Sequence, residues 1–325
     1  MPQLKITAVS SPLNAAFAIS RGAKTSAETI QVTLIDGSHT GRGECVPYAR
    51  YGETIESVTD QIISTNSLIK SGGSRDDLQE ELPAGAARCA LDCALWDLES
   101  KRQKTPVWQL ANLPKPKPLP TTMTLSLAAP DAMALAAKAT PANILKLKLG
   151  DPEDLQRVEA VHQARPDAQL ILDGNEGLNP TDLAALTATA AELGVTLIEQ
   201  PFAADNDDSL LQRPTSITIC ADESVHTSAD IQALAKKYDA VNIKLDKAGG
   251  FTEALKMAHE ARQCGLGVMV GCMVAGSLSM APALILGGIA DLIDLDGPLW
   301  MAKDIDNGLR YKNGIVSPPT RKLWG

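Results

Sequence analysis

The sequence predicts an α/β protein: a (β/α)₈-type barrel in the second half of the chain, behind a smaller α+β unit. Three observations carry this. Five charged residues, Lys148, Asp173, Glu199, Asp222 and Lys244, follow one another at intervals of about two dozen residues. Each closes a short apolar run: ILKLK, LILD, TLIE, ITICAD and VNIK. Such a run ended by a charge reads as a buried strand with a polar tip, and the spacing leaves room for one helix between strands. Residues 1–110, by contrast, show strands first and helices afterwards.

Taken in order, LKITAVSSPL, ETIQVTLI and HTGRGECVP read as three strands, the last two joined at Asp36-Gly37, a hairpin signal. The segment AAFAISRGAKTSAE between the first two, and VPYARYGE after the third, read as polar, glycine-bearing loops. Helical patterns follow around 53–70 and 84–103. The proline-rich run from Lys115 to Pro120 reads as a linker, placing the first unit at 1–115 and the barrel at 116–298. Eight strand tips fall near Leu125, Lys148, Asp173, Glu199, Asp222, Lys244, Val270 and Asp294. Helical spacing fills 152–165, 179–193, 228–237, 250–264 and 275–288, with Ser228 and Asp230 as caps ahead of IQALAKKY. Residues 299–325 form a tail expected to pack back against the first unit.

Composition removes several classes of function. A net charge of −9 argues against a nucleic-acid partner, which requires a basic surface. No run approaches a membrane span, and the polar N-terminus does not resemble a secretion signal. The six cysteines include no CxxC pair; Cys89 and Cys93 share one face of a helical pattern. Reduced core thiols in a cytoplasmic protein are the expectation. Aromatic residues make up only 3% of the chain, so the core must be built from Leu, Ile, Val and Ala.

The chemistry follows from the strand tips. Active sites of parallel barrels form at the C-terminal ends of their strands. Asp173, Glu199 and Asp222 on three consecutive tips would converge. Like charges so close require a cation, and an all-oxygen set favours Mg²⁺, with Mn²⁺ as an alternative. Asn175 lies on the same side of its strand. Lys146 and Lys148 alternate onto one face, the barrel interior; two neighbouring ammonium groups are expected to lower each other's pKa, which suits a general base. Lys244 approaches from the other side of the acidic residues. A metal-bound carboxylate substrate would then hold its α-carbon between Lys148 and Lys244. A lone interior lysine could instead form a Schiff base, but three interior carboxylates speak against it. His226 has no positioned partner in the sequence and reads as a bystander, while Cys272 and Met273 read as pocket lining.

The segments KLKLG, LDGNEG, IEQP, ADES and NIKLDKAGG together resemble the muconate-lactonising branch of the enolase superfamily, over nearly the whole chain. The resemblance implies an N-terminal capping domain on a (β/α)₇β barrel, with Asp173, Glu199 and Asp222 as Mg²⁺ ligands. It also implies Lys148 and Lys244 as acid/base catalysts and Lys146 as a residue tuning Lys148. Asp294 and Asp296, in LIDLDGP, share a face and resemble the signature by which dipeptide epimerases hold a substrate ammonium. Arg21 matches a position where epimerases of L-Ala-D/L-Glu place an arginine against the glutamate side chain. Thr124 matches a substrate-contacting position, and Arg50 and Tyr51 sit where a loop could close over the substrate. The expectation is a Mg²⁺-dependent dipeptide epimerase acting on a small-molecule dipeptide from cell-wall recycling, with a homo-oligomer as the assembly the resemblance suggests. A muconate cycloisomerase, an o-succinylbenzoate synthase or a non-catalytic metal-binding barrel are the rivals.

Overall fold

The computed structural model describes residues 2–212 and 215–325. The chain opens with an antiparallel sheet of β1 (Gln3–Ile19), β2 (Gly22–Asp36) and β3 (His39–Cys45). The segment read as a loop before residue 28 is mostly strand. β1 and β2 pair from Gln3↔Ile35 to Ile19↔Gly22, with an irregularity between Pro12 and Phe17. Alanine and small polar residues do not advertise a strand, yet ladder pairing extends them into a long hairpin whose tip is Ser20-Arg21. The Asp36-Gly37 turn joins β2 to β3 as expected.

The sheet packs on helices α1 (Ile55–Ser64), α2 (Asn66–Ser71), α3 (Arg75–Glu81) and α4 (Ala86–Gln103), followed by α5 (Val107–Leu110). Ile30, Val32 and Leu34, spaced by two along β2, are fully buried, and each contributes roughly 1.5–3 kcal/mol. β3 lies against α4 so closely that a Cβ at Gly41 or Gly43 would stand about 2 Å from the carbonyls of Ala94 or Ala90, a contact only glycine permits. Thr54 caps α1, accepting from the Ser57 amide at 3.0 Å while the Ser57 hydroxyl accepts from the Thr54 amide.

After the short strand β4 (Leu119–Pro120) come eight barrel strands: β5 (Met123–Leu125), β6 (Ile144–Lys148), β7 (Gln169–Asp173), β8 (Val195–Glu199), β9 (Thr218–Ala221), β10 (Ala240–Lys244), β11 (Gly267–Gly271) and β12 (Leu292–Ile293). They pair in sequential parallel order. The outer helices are α6 (Pro130–Ala139), α7 (Asp154–Ala164), α8 (Pro180–Ala190), α9 (Ser228–Leu234), α10 (Leu245–Ala248), α11 (Phe251–Gln263), α12 (Ser277–Leu286) and α13 (Gly297–Trp300). The alanine-rich α6 has no counterpart in the sequence reading. The N-cap of α9 is Thr227, one residue earlier than read: Asp230 accepts from the Thr227 amide at 2.8 Å, while Ser228 turns to Glu253. Ile171, Leu197, Cys220, Ala240 and Met269 fill the barrel interior below the strand ends.

The seam between β12 and β5 is bridged by the Thr122 amide donating to Ile293 O at 3.1 Å and the Leu295 amide donating to Thr121 Oγ1 at 2.9 Å. The tail forms β13 (Tyr311–Lys312) and β14 (Ile315–Val316), which pairs with β4. It then returns to the N-terminal unit, where the Trp324 indole donates to Cys93 O at 3.0 Å and the Gly325 amide to Asp97 Oδ1 at 2.8 Å. All six cysteines are free thiols. Among the described residues no helix is long and apolar enough to cross a membrane.

Candidate active site

Strand register sets the layers of the site. Lys148, Asp173 and Glu199 are direct neighbours across β6, β7 and β8. Asp222 follows β9 immediately, and Lys244 ends β10. β6 and β10 stand four strands apart in a closed ring of eight, so Lys148 and Lys244 face one another across the mouth. Both line a cavity of about 590 Å³ between barrel and N-terminal sheet, together with Arg21, Tyr51, Thr124, Asn175, Cys272, Met273, Asp294 and Asp296.

The charges form one buried network. Lys146 starts a layer lower, level with Ile171, and its stem carries the ammonium up among three carboxylates. Its Nζ lies 3.1 Å from Asp173, 2.7 Å from Glu199 and 2.7 Å from Asp294. Lys148 pairs with Asp173, and Lys244 with Asp222 Oδ2 at 2.6 Å. Lys247 holds the other side of Asp222, donating to its carbonyl and, at 2.6 Å, to Oδ1. Lys247 and Glu223 lie within the segments NIKLDKAGG and ADES, where no local pattern marks either as part of the charge network.

The expectation that neighbouring ammonium groups lower one another's pKa is corrected at Lys146. Burial pulls its pKa down, but Asp173, Asp294 and Glu199 outweigh burial and hold it well above the usual lysine value. Lys244 is raised in the same way, burial being outweighed by Asp222 and Glu199. The carboxylates divide. Burial alone would raise Asp173, yet Lys146 and Lys148 bring it below the usual range. Glu199 is pushed up to about 7 by burial and by Asp173. Its Oε2 lies 2.7 Å from Lys146 yet accepts no aligned hydrogen bond.

A second correction concerns convergence. Each of the three carboxylates is turned onto a lysine, and among the described residues no three acidic, histidine or cysteine side chains gather at metal-ligand geometry. The donor set still fits a hard cation. Asp173, Glu199 and Asp222 are at most 2% exposed, supply only oxygen, and leave one buried oxygen of Glu199 without a hydrogen-bond donor. Buried, all-oxygen carboxylate donors on neighbouring strand ends are the chemistry that suits a hard divalent ion.

Asp294 and Asp296 engage the first barrel strand as well as the cavity. Asp294 accepts from the Thr122 hydroxyl; Asp296 Oδ2 accepts from the Thr124 amide at 2.7 Å and from the Trp300 indole at 3.4 Å. Burial and the charge of Asp294 push Asp296 up to about 6.

Two loops of the N-terminal unit cover the mouth. Arg21, at the hairpin tip, donates to Asn175 O at 2.7 Å, to Glu176 at 3.2 Å and to Glu223 at 2.8 Å. Arg50 does not line the cavity; it grips Glu176 through two hydrogen bonds of 3.0 and 2.9 Å. Tyr51 does line it, and packs edge-on against His226, ring centroids 4.8 Å apart. His226 therefore contacts the covering loop, which its sequence context did not reveal. Lys24, also on the cavity wall, has its ammonium 4.8 Å from the Tyr48 ring centre and forms no ion pair among the described residues. No sequence signal separates it from other loop lysines.

A parallel barrel roofed by an α+β unit, with acidic and lysine side chains at its strand ends, is an enolase-type enzyme scaffold. Comparisons with known proteins agree. Residues 1–111 match the mandelate racemase / muconate lactonizing enzyme N-terminal domain, and residues 130–322 the enolase C-terminal domain-like family. The chain belongs to this branch of the enolase superfamily. It is 42% identical to L-Ala-D/L-Glu epimerase of Escherichia coli K12, over 97% of this chain and 99% of that one. It is 40% identical to N-acetyl-D-glutamate racemase of a Pseudoalteromonas species, over 91% and 95%. A crystal structure of an Agrobacterium tumefaciens enolase-family member with homology to dipeptide epimerases, holding sodium and L-Ala-L-Glu, superposes with a TM-score of 0.98 at 44% identity, covering both chains completely.

Proposed function

We infer that the protein is a dipeptide epimerase that inverts the α-carbon of the second residue by moving a proton from one face to the other, with L-Ala-D/L-Glu as substrate. The observation that carries this reading is the pair Lys148 and Lys244, facing one another across the cavity, with Asp222 on its wall and Asp173 and Glu199 buried in the same charge network behind it. Those three carboxylates would hold Mg²⁺ or Mn²⁺, which when bound supplies positive charge beside the substrate carboxylate, where enediolate charge develops. The substrate's α-carbon then lies between the two amines. The lysine present as the neutral amine accepts the α-proton and the other, as an ammonium, returns a proton to the opposite face, and the reverse reaction exchanges their roles; carboxylates engaged by a cation would no longer hold both lysines charged. Lys146 stays charged between Asp173, Glu199 and Asp294 and adds a fixed positive charge on the same side.

Asp296 supplies the site for the dipeptide's ammonium. An arriving cation would stabilise its charged form, the form that burial disfavours. Thr124 lines the wall beside it. For the acidic side chain, Arg21 is the expected partner, yet it is already held by Asn175, Glu176 and Glu223. Lys24 is the cavity cation without a carboxylate partner, and we assign it a share in reading the glutamate.

A second reading is racemisation of an N-acetylated glutamate, favoured by the 40%-identical relative and by the fact that Asp294 and Asp296 already have partners along the seam. Deuterium incorporation at the α-carbon, measured with Mg²⁺ in D₂O for L-Ala-L-Glu and N-acetyl-L-glutamate side by side, separates the two. The epimerase reading expects exchange into the dipeptide, and Asp296→Asn should weaken it at least about tenfold. Exchange confined to the N-acetyl compound and insensitive to that substitution would overturn it.

A further inference from the structure

Glu176 sits on the loop after β7, outside the cavity lining and outside every role assigned so far. Its side chain is mostly buried, and four donors from three separate parts of the chain meet on it. Oε1 accepts from Arg50 Nη2 and from the Ala204 amide, both at 2.9 Å; Oε2 accepts from Arg50 Nε at 3.0 Å and from Arg21 Nη1 at 3.2 Å. Arg21 belongs to the hairpin tip and Arg50 to the second covering loop, whereas Ala204 belongs to the loop after β8. Arg50 has no other hydrogen-bond partner among the described residues.

The backbone beneath Glu176 is shaped for this. Asn175 and Glu176 adopt φ of 42° and 68°, the left-handed region that non-glycine residues avoid. The turn is held by the Asn175 amide donating to Asp173 Oδ1 at 3.0 Å and by the Glu176 amide donating to Gln200 O at 3.0 Å. The same turn presents Asn175 O to Arg21 at 2.7 Å. A strained turn that delivers a carbonyl and a carboxylate to two arginines from two other loops is a docking point.

We propose that Glu176 is the positioning residue that seats both covering loops on the barrel mouth, so that substrate affinity and enclosure of the cavity depend on it while the proton-transfer step does not. One carboxylate serving two arginines couples the loops, so release of one weakens the hold on the other. Because Arg21 is shared between Glu176 and Glu223, seating by Glu176 also sets where the Arg21 guanidinium stands over the cavity.

The inference rests on the epimerase reading for its kinetic arm only. Glu176→Gln keeps the shape and the acceptor for Ala204 but removes the charge. The expected result is a KM for L-Ala-L-Glu raised about tenfold with kcat within about twofold. Faster tryptic cleavage after Arg21 and Lys24 in the ligand-free protein is expected alongside an unchanged melting temperature. Arg50→Lys, which retains charge but loses the two-pronged contact, should fall between. An unchanged KM together with unchanged cleavage at the hairpin tip overturns the proposal. So does a variant that loses kcat and melting temperature in proportion, since that marks a structural role. If the wild-type protein exchanges no dipeptide proton, the epimerase reading fails, and the cleavage rates alone still decide for or against the docking role.

Discussion

The barrel mouth and the loops that cover it both bristle with charge, but they hold it differently. At the mouth, Lys146, Asp173 and Glu199 are at most 2% exposed and are placed by strand register. In the covering loops, the Arg21 and Arg50 side chains are 30% and 42% exposed and are placed by ion pairs to a turn of the barrel. Buried charges in a rigid layer cannot be exchanged without leaving an uncompensated neighbour. Half-exposed arginines on loops can be exchanged at small cost. Proton-transfer chemistry belongs to the first kind of region and choice of substrate to the second.

This contrast can be broken most sharply at the lysines. Lys148→Ala and Lys244→Ala should each lower α-proton exchange by about 10³-fold, within the range for a lost acid or base. Exchange retained in both would detach the chemistry from the strand tips. A smaller effect is expected at the wall: Lys24→Met should raise KM for L-Ala-L-Glu about tenfold while leaving a dipeptide with an apolar second residue unaffected, as steady-state kinetics on both would show.

The smallest effect is read on stability, at the junction of the two regions. Asp246, just past Lys244, accepts from the Val46 amide at 2.7 Å. Burial, helped by Glu53 and Glu44, pushes its pKa up to about 7 from 3.8. A carboxyl raised on folding contributes stability that is fully present below pH 3.8 and is lost as pH rises through about 7. Asp246→Asn keeps the acceptor for Val46 and should flatten the fall in melting temperature between those limits by a few degrees. An unaltered profile would assign the pH dependence elsewhere.

The barrel was legible because each strand announces itself twice, by an apolar run and by the charge that ends it. Lys148, Asp173, Glu199 and Lys244 stand at the ends of their strands for that reason, and Asp222 one residue beyond its own. The long hairpin was not legible, since its outer half is alanine, serine and threonine and is extended only by its partner strand. Lys24, Glu176 and His226 carry no local pattern either. Their neighbours come from far along the chain, and only folding brings Tyr51 to His226 or Arg50 to Glu176. The state of Lys146 eluded the sequence for a related reason: Lys148 is two residues away, but the three carboxylates around Lys146 come from the ends of β7 and β8 and from the residue after β12.

The seam between the first and last barrel strands has a consequence for how such a protein can diversify. Asp294 and Asp296 each reach across it, to Thr122 and Thr124, while facing the cavity. A lineage that changes substrate by replacing either aspartate therefore also loosens the barrel's closing stitch and must first acquire spare stability. A change at the hairpin tip or at Arg50 carries no such debt. New specificities on this chain are expected to arise from the roof before they arise from the seam.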